Sequence, residues 1–144
     1  MTLENINNFI QVSENIASSG QPTRSQFQLI AEASYTTVIN LAMPNSDRTI
    51  ADEGHIVTTN GMNYIHIPVP FEAPTIDHLR YFMNCLKDLS NEKVWIHCVV
   101  NKRVSAFLYN YFRLHLGKSE SEAKKVMLPN WQPNQVWQKF MAIA

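Results

Sequence analysis

Short apolar runs alternate along this chain with segments whose apolar residues recur every three or four positions. Three of the runs, Thr36 to Leu41, Tyr64 to Val69 and the run from Val94 into Cys98, have strand character, and the first of them is β-branched and lacks alternation. Such a pattern predicts strands that are covered on both faces, as in a parallel sheet. Strands that alternate with helices connect through right-handed crossovers, so the pattern predicts an α/β fold with a central, mostly parallel sheet.

The helix signals lie between and after these runs. Thr23 with Gln26, and Ser119 with Glu122, form capping boxes. Further helices are predicted over about 50–59, 75–89 and 103–116, and a final helix has Val136, Trp137 and Phe140 facing inward. Residues 9–12 and 16–18 are predicted to form a short N-terminal strand pair. At 144 residues with no linker or repeat, the chain is predicted to form a single domain, 1–144.

The stretch from Val94 to Ser105 carries the strongest chemical signal. A strand leads into Cys98, a short turn follows, and Arg103 opens a long apolar helix. The first N–H groups of a helix have no partner inside it, and its dipole favours an anion there. The same field favours thiolate over thiol at Cys98, and Arg103 offers a planar donor fork. The stretch therefore predicts an anion site with Cys98 on one side and Arg103 on the other.

This stretch resembles the loop of the dual-specificity and tyrosine-phosphatase type of cysteine phosphatase, which has His-Cys, five residues, Arg, then Ser or Thr. His97 and Cys98 match, Arg103 follows after four residues, and Ser105 occupies the hydroxyl position counted from the cysteine. The chain also resembles a bacterial family of cysteine phosphatases, some named after β-lactamase-like hydrolases. Four family motifs occur in order: Ser19-Gly20-Gln21-Pro22, Val38-Ile39-Asn40-Leu41, His66-Ile67-Pro68-Val69, and His97-Cys98 to Arg103.

The resemblance implies a tyrosine-phosphatase-like fold and a cysteinyl-phosphate mechanism in which Cys98 is the nucleophile. The backbone N–H groups of the phosphate loop would hold the phosphate oxygens, from Val99 through Val100, Asn101 and Lys102 to Arg103. Asn101 stands where many relatives have Gly, and Asn tolerates the left-handed backbone that this turn requires.

Other groups have supporting roles in this interpretation. Glu72, on the Pro-rich loop after the strand that ends at Val69, is the candidate general acid, because no Asp lies between Asp52 and Asp77. Asp47 and Asp52 are further candidates for the acid.

His97 would order the loop. Ser105 would donate a hydrogen bond to the Cys98 sulfur, or back into its own helix. Cys85 is interpreted as a core residue or a resolving thiol. The Asn130-Trp131-Gln132 segment would border the pocket or anchor the core.

Composition narrows the classes of partner. Twelve basic residues balance twelve acidic ones, which argues against general nucleic-acid or membrane-surface binding. Two cysteines make no disulfide framework, the histidines lack metal-ligand spacing, and the start lacks the features of a secretory signal. We therefore expect a cytoplasmic protein without metal or cofactor, and the resemblance to cysteine phosphatases implies that it acts on a phosphorylated small molecule or a phosphoprotein. The sequence leaves its oligomeric state open.

The four-residue gap between Cys98 and Arg103 keeps two alternatives open. Rhodanese sulfurtransferases have loops of this length and carry sulfur on the cysteine as a persulfide, without a general acid. An inactive phosphate-binding module would use the same loop and no acid.

Overall fold

Five strands form one sheet in the order β1-β2-β5-β3-β4. The computed structural model describes all residues, 1–144. The strands are β1 Ile10–Gln11, β2 Ile16–Ser19, β3 Thr37–Asn40, β4 Asn63–His66 and β5 Val94–His97. β1 pairs with β2 in antiparallel orientation, and every other pairing in the sheet is parallel.

The register of the sheet sets the position of the site. β5 is the central strand, with Ser19 of β2 and Asn40 of β3 opposite His97 on either side. The carboxyl ends of β2, β5 and β3 therefore lie side by side. In open parallel sheets, ligands bind beyond these ends.

Six helices surround the sheet: α1 Arg24–Glu32, α2 Glu53–Thr59, α3 Ile76–Asp88, α4 Lys102–Leu114, α5 Glu120–Lys124 and α6 Gln135–Met141. Capping boxes start α1 at Thr23 and α5 at Ser119, as the sequence predicts, and Thr75 starts α3 in the same way. A short 3-10 helix at Leu3–Asn5, which was not predicted, precedes β1.

The two faces of the sheet bury separate cores. Phe27 and Val57, from α1 and α2, pack with Trp95 on one face. On the other face Ile96 packs with α3, α4 and α6. α4 is buried along the whole stretch from Arg103 to Tyr111, because helices α3, α5 and α6 cover it.

The predicted fold class is confirmed: a mostly parallel sheet flanked by helices, with a short antiparallel strand pair at the N-terminus. One detail is wrong, since Val136 is 38% exposed while Trp137 and Phe140 are buried as predicted. None of the helices has the length and apolar character needed to cross a membrane.

Candidate active site

The loop after β5 carries the predicted nucleophile. Cys98 follows the last residue of the central strand and is 1% exposed, so its sulfur is recessed. Asn101 has φ 72°, in the left-handed region, and precedes the first turn of α4. The chain therefore passes from strand to helix in four residues, with Asn101 taking the positive φ that its position predicts.

The backbone of this loop has its N–H groups free and its carbonyl groups occupied. None of the six N–H groups from Val99 to Val104 has an acceptor within the protein. The carbonyl of Cys98 lies 3.1 Å from His97 Nδ1, that of Val99 accepts from Gln21 N at 2.9 Å, and that of Val100 accepts from Asn8 Nδ2 at 2.9 Å.

These carbonyl contacts determine where the N–H groups point. In a trans peptide the C=O of one residue and the N–H of the next point in opposite directions, and the chain has no cis peptide bond. The N–H groups of Val99, Val100 and Asn101 therefore point away from the groups that hold the preceding carbonyls. Successive backbone N–H groups presented in this way form a concave anion site.

The N-terminal segment braces the outer side of the loop. Asn101 Nδ2 donates to Asn8 O at 2.9 Å and to Ser18 Oγ at 3.0 Å. Gly20 is required here, because a Cβ at this position would lie 2.4 Å from Val99 O. Sequence reasoning treated Ser19-Gly20-Gln21-Pro22 as a turn and a family motif, whereas the structure shows that it also supports the loop.

Arg103 reaches across to the loop that follows β4. Its Nη1 donates to Val69 O at 2.9 Å, and its guanidinium carbon lies 5.8 Å from the centre of the Phe71 ring. The residue is 6% exposed. An arginine has five N–H donors, so this contact fixes the guanidinium and leaves other N–H groups for an anion.

An open cleft of about 470 Å³ lies at this point, where three loops meet. Arg103 and Val99 line it together with both Glu72 and Asp47, whose side chains are exposed and make no hydrogen bond. The structure therefore brings two of the three candidate acids to the same cleft as Arg103. Asp52 lies elsewhere and pairs with Arg24 at 2.6 Å, which holds the pKa of its carboxyl below the ordinary value.

A buried contact between Glu53 and His97 behind the loop was missed in the sequence. Glu53 Oε2 lies 2.6 Å from His97 Nε2, and Glu53 Oε1 accepts from Gln21 Nε2 at 2.7 Å. All three side chains are buried. Burial raises the pKa of the Glu53 carboxyl, but its contacts with His97 and Gln21 outweigh burial and leave this pKa below its ordinary value.

This pair fixes the ring of His97. Each of its nitrogens faces an oxygen, one from Glu53 and one from the Cys98 carbonyl. Through Glu53, His97 links Gln21 of the N-terminal motif to the loop that carries Cys98, and its ordering role stays a prediction. The only sequence signal for Glu53 was its place just beyond the loop that follows β3.

Of the two roles predicted for Ser105, the structure shows a hydrogen bond back to the start of its own helix. Its hydroxyl donates to Asn101 Oδ1 at 3.4 Å and accepts from Leu128 N at 2.8 Å, and it makes no hydrogen bond to Cys98. The alternative bond to the sulfur is not seen, and Ser105 joins Asn101 to the segment after α5.

The other candidates lie outside the cleft. Cys85 is half-buried on α3 and packs against the core, where burial and the nearby Asp88 raise the pKa of its thiol. Trp131 contacts the buried Trp137 edge-on at 6.2 Å, so it anchors the core, and neither Asn130 nor Gln132 lines the cleft. No group of three or more His, Cys, Asp or Glu side chains is arranged to hold a metal ion.

A parallel sheet whose central strand delivers a cysteine to an N–H-lined loop, with an arginine opening the next helix, is a tyrosine-phosphatase-like arrangement. The chain belongs to the family described as DSP-PTPase phosphatase fused to NAD+ kinase, whose model matches residues 3–139. Its membership confirms the resemblance to cysteine phosphatases that the motifs indicated.

Several solved structures have folds similar to that of this chain. A candidate phosphatase of the DUF442 family from Shewanella putrefaciens CN-32 is 30% identical, with 96% of this chain and 91% of that one covered and a TM-score of 0.86. Tk-PTP in its active form is 19% identical over 93% of each chain, with a TM-score of 0.79.

Pseudomonas aeruginosa TpbA in complex with phosphotyrosine is 16% identical over 83% of this chain and 71% of that one, with a TM-score of 0.68. The comparison with curated proteins gives no match.

Proposed function

We propose that this protein hydrolyses phosphomonoesters through a cysteinyl-phosphate intermediate on Cys98. The observation that carries the proposal is the run of N–H groups from Val99 to Val104 without an acceptor in the protein. Buried or half-buried backbone donors almost always have a partner, so six in succession beside an arginine indicate a loop built for an anion. A tetrahedral phosphoryl group with three free oxygens matches such a set of donors.

In the first step the Cys98 thiolate attacks phosphorus, an S–P bond forms and the P–O bond to the leaving group breaks. The leaving oxygen takes a proton from a carboxylic acid in the cleft. In the second step water attacks phosphorus and gives a proton to the carboxylate left by the first step, the S–P bond breaks, and the thiolate is regenerated as inorganic phosphate leaves. The two steps balance in atoms and electrons without an oxidant, a reductant or a metal.

Arg103 stabilises the transferring group. One of its five N–H donors is held by Val69 O, which orients the guanidinium. The remaining donors are available for the equatorial oxygens, where negative charge spreads in the transition state. Phe71 lies beside the guanidinium and limits water on that side.

Glu72 is the proposed general acid, because it is on the loop next to Phe71 and lines the same cleft as Arg103. Asp47 lines the opposite loop and is the second candidate. The phosphotyrosine complex of TpbA, which shares the fold, supports an aryl phosphate as the first substrate to test.

The test is phosphate release from an aryl phosphate by the purified protein. Cys98→Ser and Arg103→Ala should each abolish release, since they remove the nucleophile and the transition-state donor. Cys85→Ser is the matched control, because this thiol is on α3 outside the cleft, and it should retain activity.

Sulfur transfer is measured on the same preparation with thiosulfate and cyanide. Thiocyanate formation without phosphate release would overturn the proposal in favour of a rhodanese activity. Phosphate binding without turnover of any phosphomonoester would leave a binding module.

A further inference from the structure

A second cleft, of about 740 Å³, lies at the start of α1 and has no role in the proposed reaction. Ile50 is the only hydrophobic residue that lines it, and no carboxylate lines it. Two arginines, Arg24 and Arg48, do so. A concave, polar and positively charged surface of this kind favours an anionic ligand.

The floor of this groove presents donors that have no acceptor in the protein. Gln26 is 9% exposed, and its Oε1 accepts from Thr23 N at 2.9 Å, while its Nε2 has no partner. The backbone N–H groups of Arg24 and Ser25, in the first turn of the nine-residue α1, also have none. The Gln26 amide nitrogen, on a nearly buried side chain, and two free helix N–H groups thus offer three donors to a ligand oxygen in the groove.

Arg48 supplies the charge. It makes no ion pair, whereas Arg24 is paired with Asp52 at 2.6 Å. Its φ is +63°, a left-handed conformation that is unfavourable for a residue with a long side chain. Such strain is concentrated at functional sites, and here it accompanies a guanidinium that lines the groove.

We propose that this groove binds a phosphate group through Gln26 Nε2, the Arg24 and Ser25 N–H groups and the Arg48 guanidinium. The groove and the active-site cleft share a wall, because Asp47 lines the cleft and its neighbour Arg48 lines the groove. The phosphate comes either from a second position on the substrate or from a separate anion.

The test is a titration of the ¹⁵N-labelled protein with inorganic phosphate. The Arg24 and Ser25 amide signals and the side-chain amide of Gln26 should shift together along one saturating curve. Gln26→Glu keeps the capping box and replaces the free donor with a carboxylate. Arg48→Gly removes the guanidinium and relieves the positive φ, so it should melt no lower than the unmodified protein.

Each variant should weaken phosphate binding at the groove at least about tenfold, the effect of losing one charge-assisted contact. Arg80→Ala, which removes an exposed arginine outside the groove, is the control and should leave the curve unchanged. The proposal would be overturned if the signals did not shift with phosphate. It would also be overturned if they shifted in Arg48→Gly and Gln26→Glu along the same curve as in the unmodified protein.

This readout does not depend on catalysis. Arg103→Ala should remove the response of the active-site loop and leave the groove response intact, so failure of the proposed hydrolysis and failure of the groove are separable. A comparison of aryl monophosphate and bisphosphate substrates, which does rest on the proposed hydrolysis, then identifies the source. A lower KM for the bisphosphate that Arg48→Gly abolishes indicates a second substrate phosphate, and equal KM values indicate a separate anion.

Discussion

Replacing the buried Glu53 by Ala should destabilise the protein by about 3 kcal/mol at pH 7. The change leaves His97 Nε2 without its acceptor at 2.6 Å in a fully buried environment. Gln21 Nε2 also loses a partner, although Pro22 O remains within 3.0 Å of it. Each unsatisfied buried donor costs about 1–3 kcal/mol, and the change leaves one donor without its partner and weakens the bonding of a second. In a chain of this size the midpoint of thermal unfolding should fall by about 6–12 °C.

The pH dependence gives this prediction a second signature. Because the pKa of Glu53 is lower in the folded state than in the unfolded chain, its contribution to stability is present above the unfolded value of about 4.5 and is lost as pH falls through the folded value. The unmodified protein should therefore lose stability as the pH falls below about 4.5. Both Glu53→Ala and Glu53→Gln, which lack this carboxyl, should show a smaller loss over the same range.

Glu53→Gln is the matched control for volume. Its amide oxygen can still accept from Gln21, and its amide nitrogen can donate to a neutral His97, so the loss should be about 1 kcal/mol. The free energy of unfolding in urea, measured between pH 3 and pH 8 for all three proteins, separates these cases. The assignment of this pair as a structural support of the loop would be refuted by a Glu53→Ala protein whose free energy of unfolding lies within about 0.5 kcal/mol of the unmodified protein's and decreases equally at low pH.

Three further predictions address the loop and the cleft. Glu72→Gln should slow release of poor leaving groups far more than that of good ones, as measured with a series of aryl phosphates of different leaving-group pKa. Gly20→Ala should lower both stability and activity, because the added Cβ would lie 2.4 Å from Val99 O and the loop must shift. Ser105→Ala should cost about 1–2 kcal/mol in urea unfolding through the lost acceptor of Leu128 N, yet keep turnover of an aryl phosphate within about twofold.

Each of these has its own contrary result and control. Equal slowing of all leaving groups would remove Glu72 as the acid, and Asp47→Asn would then be the next variant in the same assay. For Gly20, the control is Gly61→Ala, where φ is +84° but no atom lies within 4 Å of the added Cβ, so stability falls without loss of activity. A large loss of turnover in Ser105→Ala would instead indicate a hydrogen bond from Ser105 to the Cys98 sulfur, which the structure does not show.

The fold could be predicted because its signals are local. The apolar runs at Val38 and Val94 predict buried parallel strands, and Thr23 and Ser119 carry their capping partners three residues later. The loop could be predicted for the same reason, since Cys98, Asn101 and Arg103 all lie within one strand–turn–helix unit.

The supports of the loop could not be predicted, because they come from distant parts of the chain. Glu53 reaches His97 across 44 positions, and Asn101 reaches Asn8 across 93. Nothing in the local sequence of Glu53 distinguishes a buried carboxylate from a solvated one at the start of a helix. The contact of Ser105 with Leu128 was missed on similar grounds, since Leu128 lies beyond the next helix.

The pairing of β2 with β5 has a kinetic consequence. β2 pairs with β1 and β5, and Ile16 is opposite Val94, about 80 residues later in the chain. At a synthesis rate of about 5–20 residues per second, the N-terminal hairpin waits about 4–16 s for its parallel partner to be made. Contacts of such long sequence separation form late and slow the folding of the whole domain. The loop after β5 needs Asn8 on one side and the start of α4 on the other, so it is assembled after most of the chain has been synthesised. A nascent chain carries an unpaired β2 edge until then.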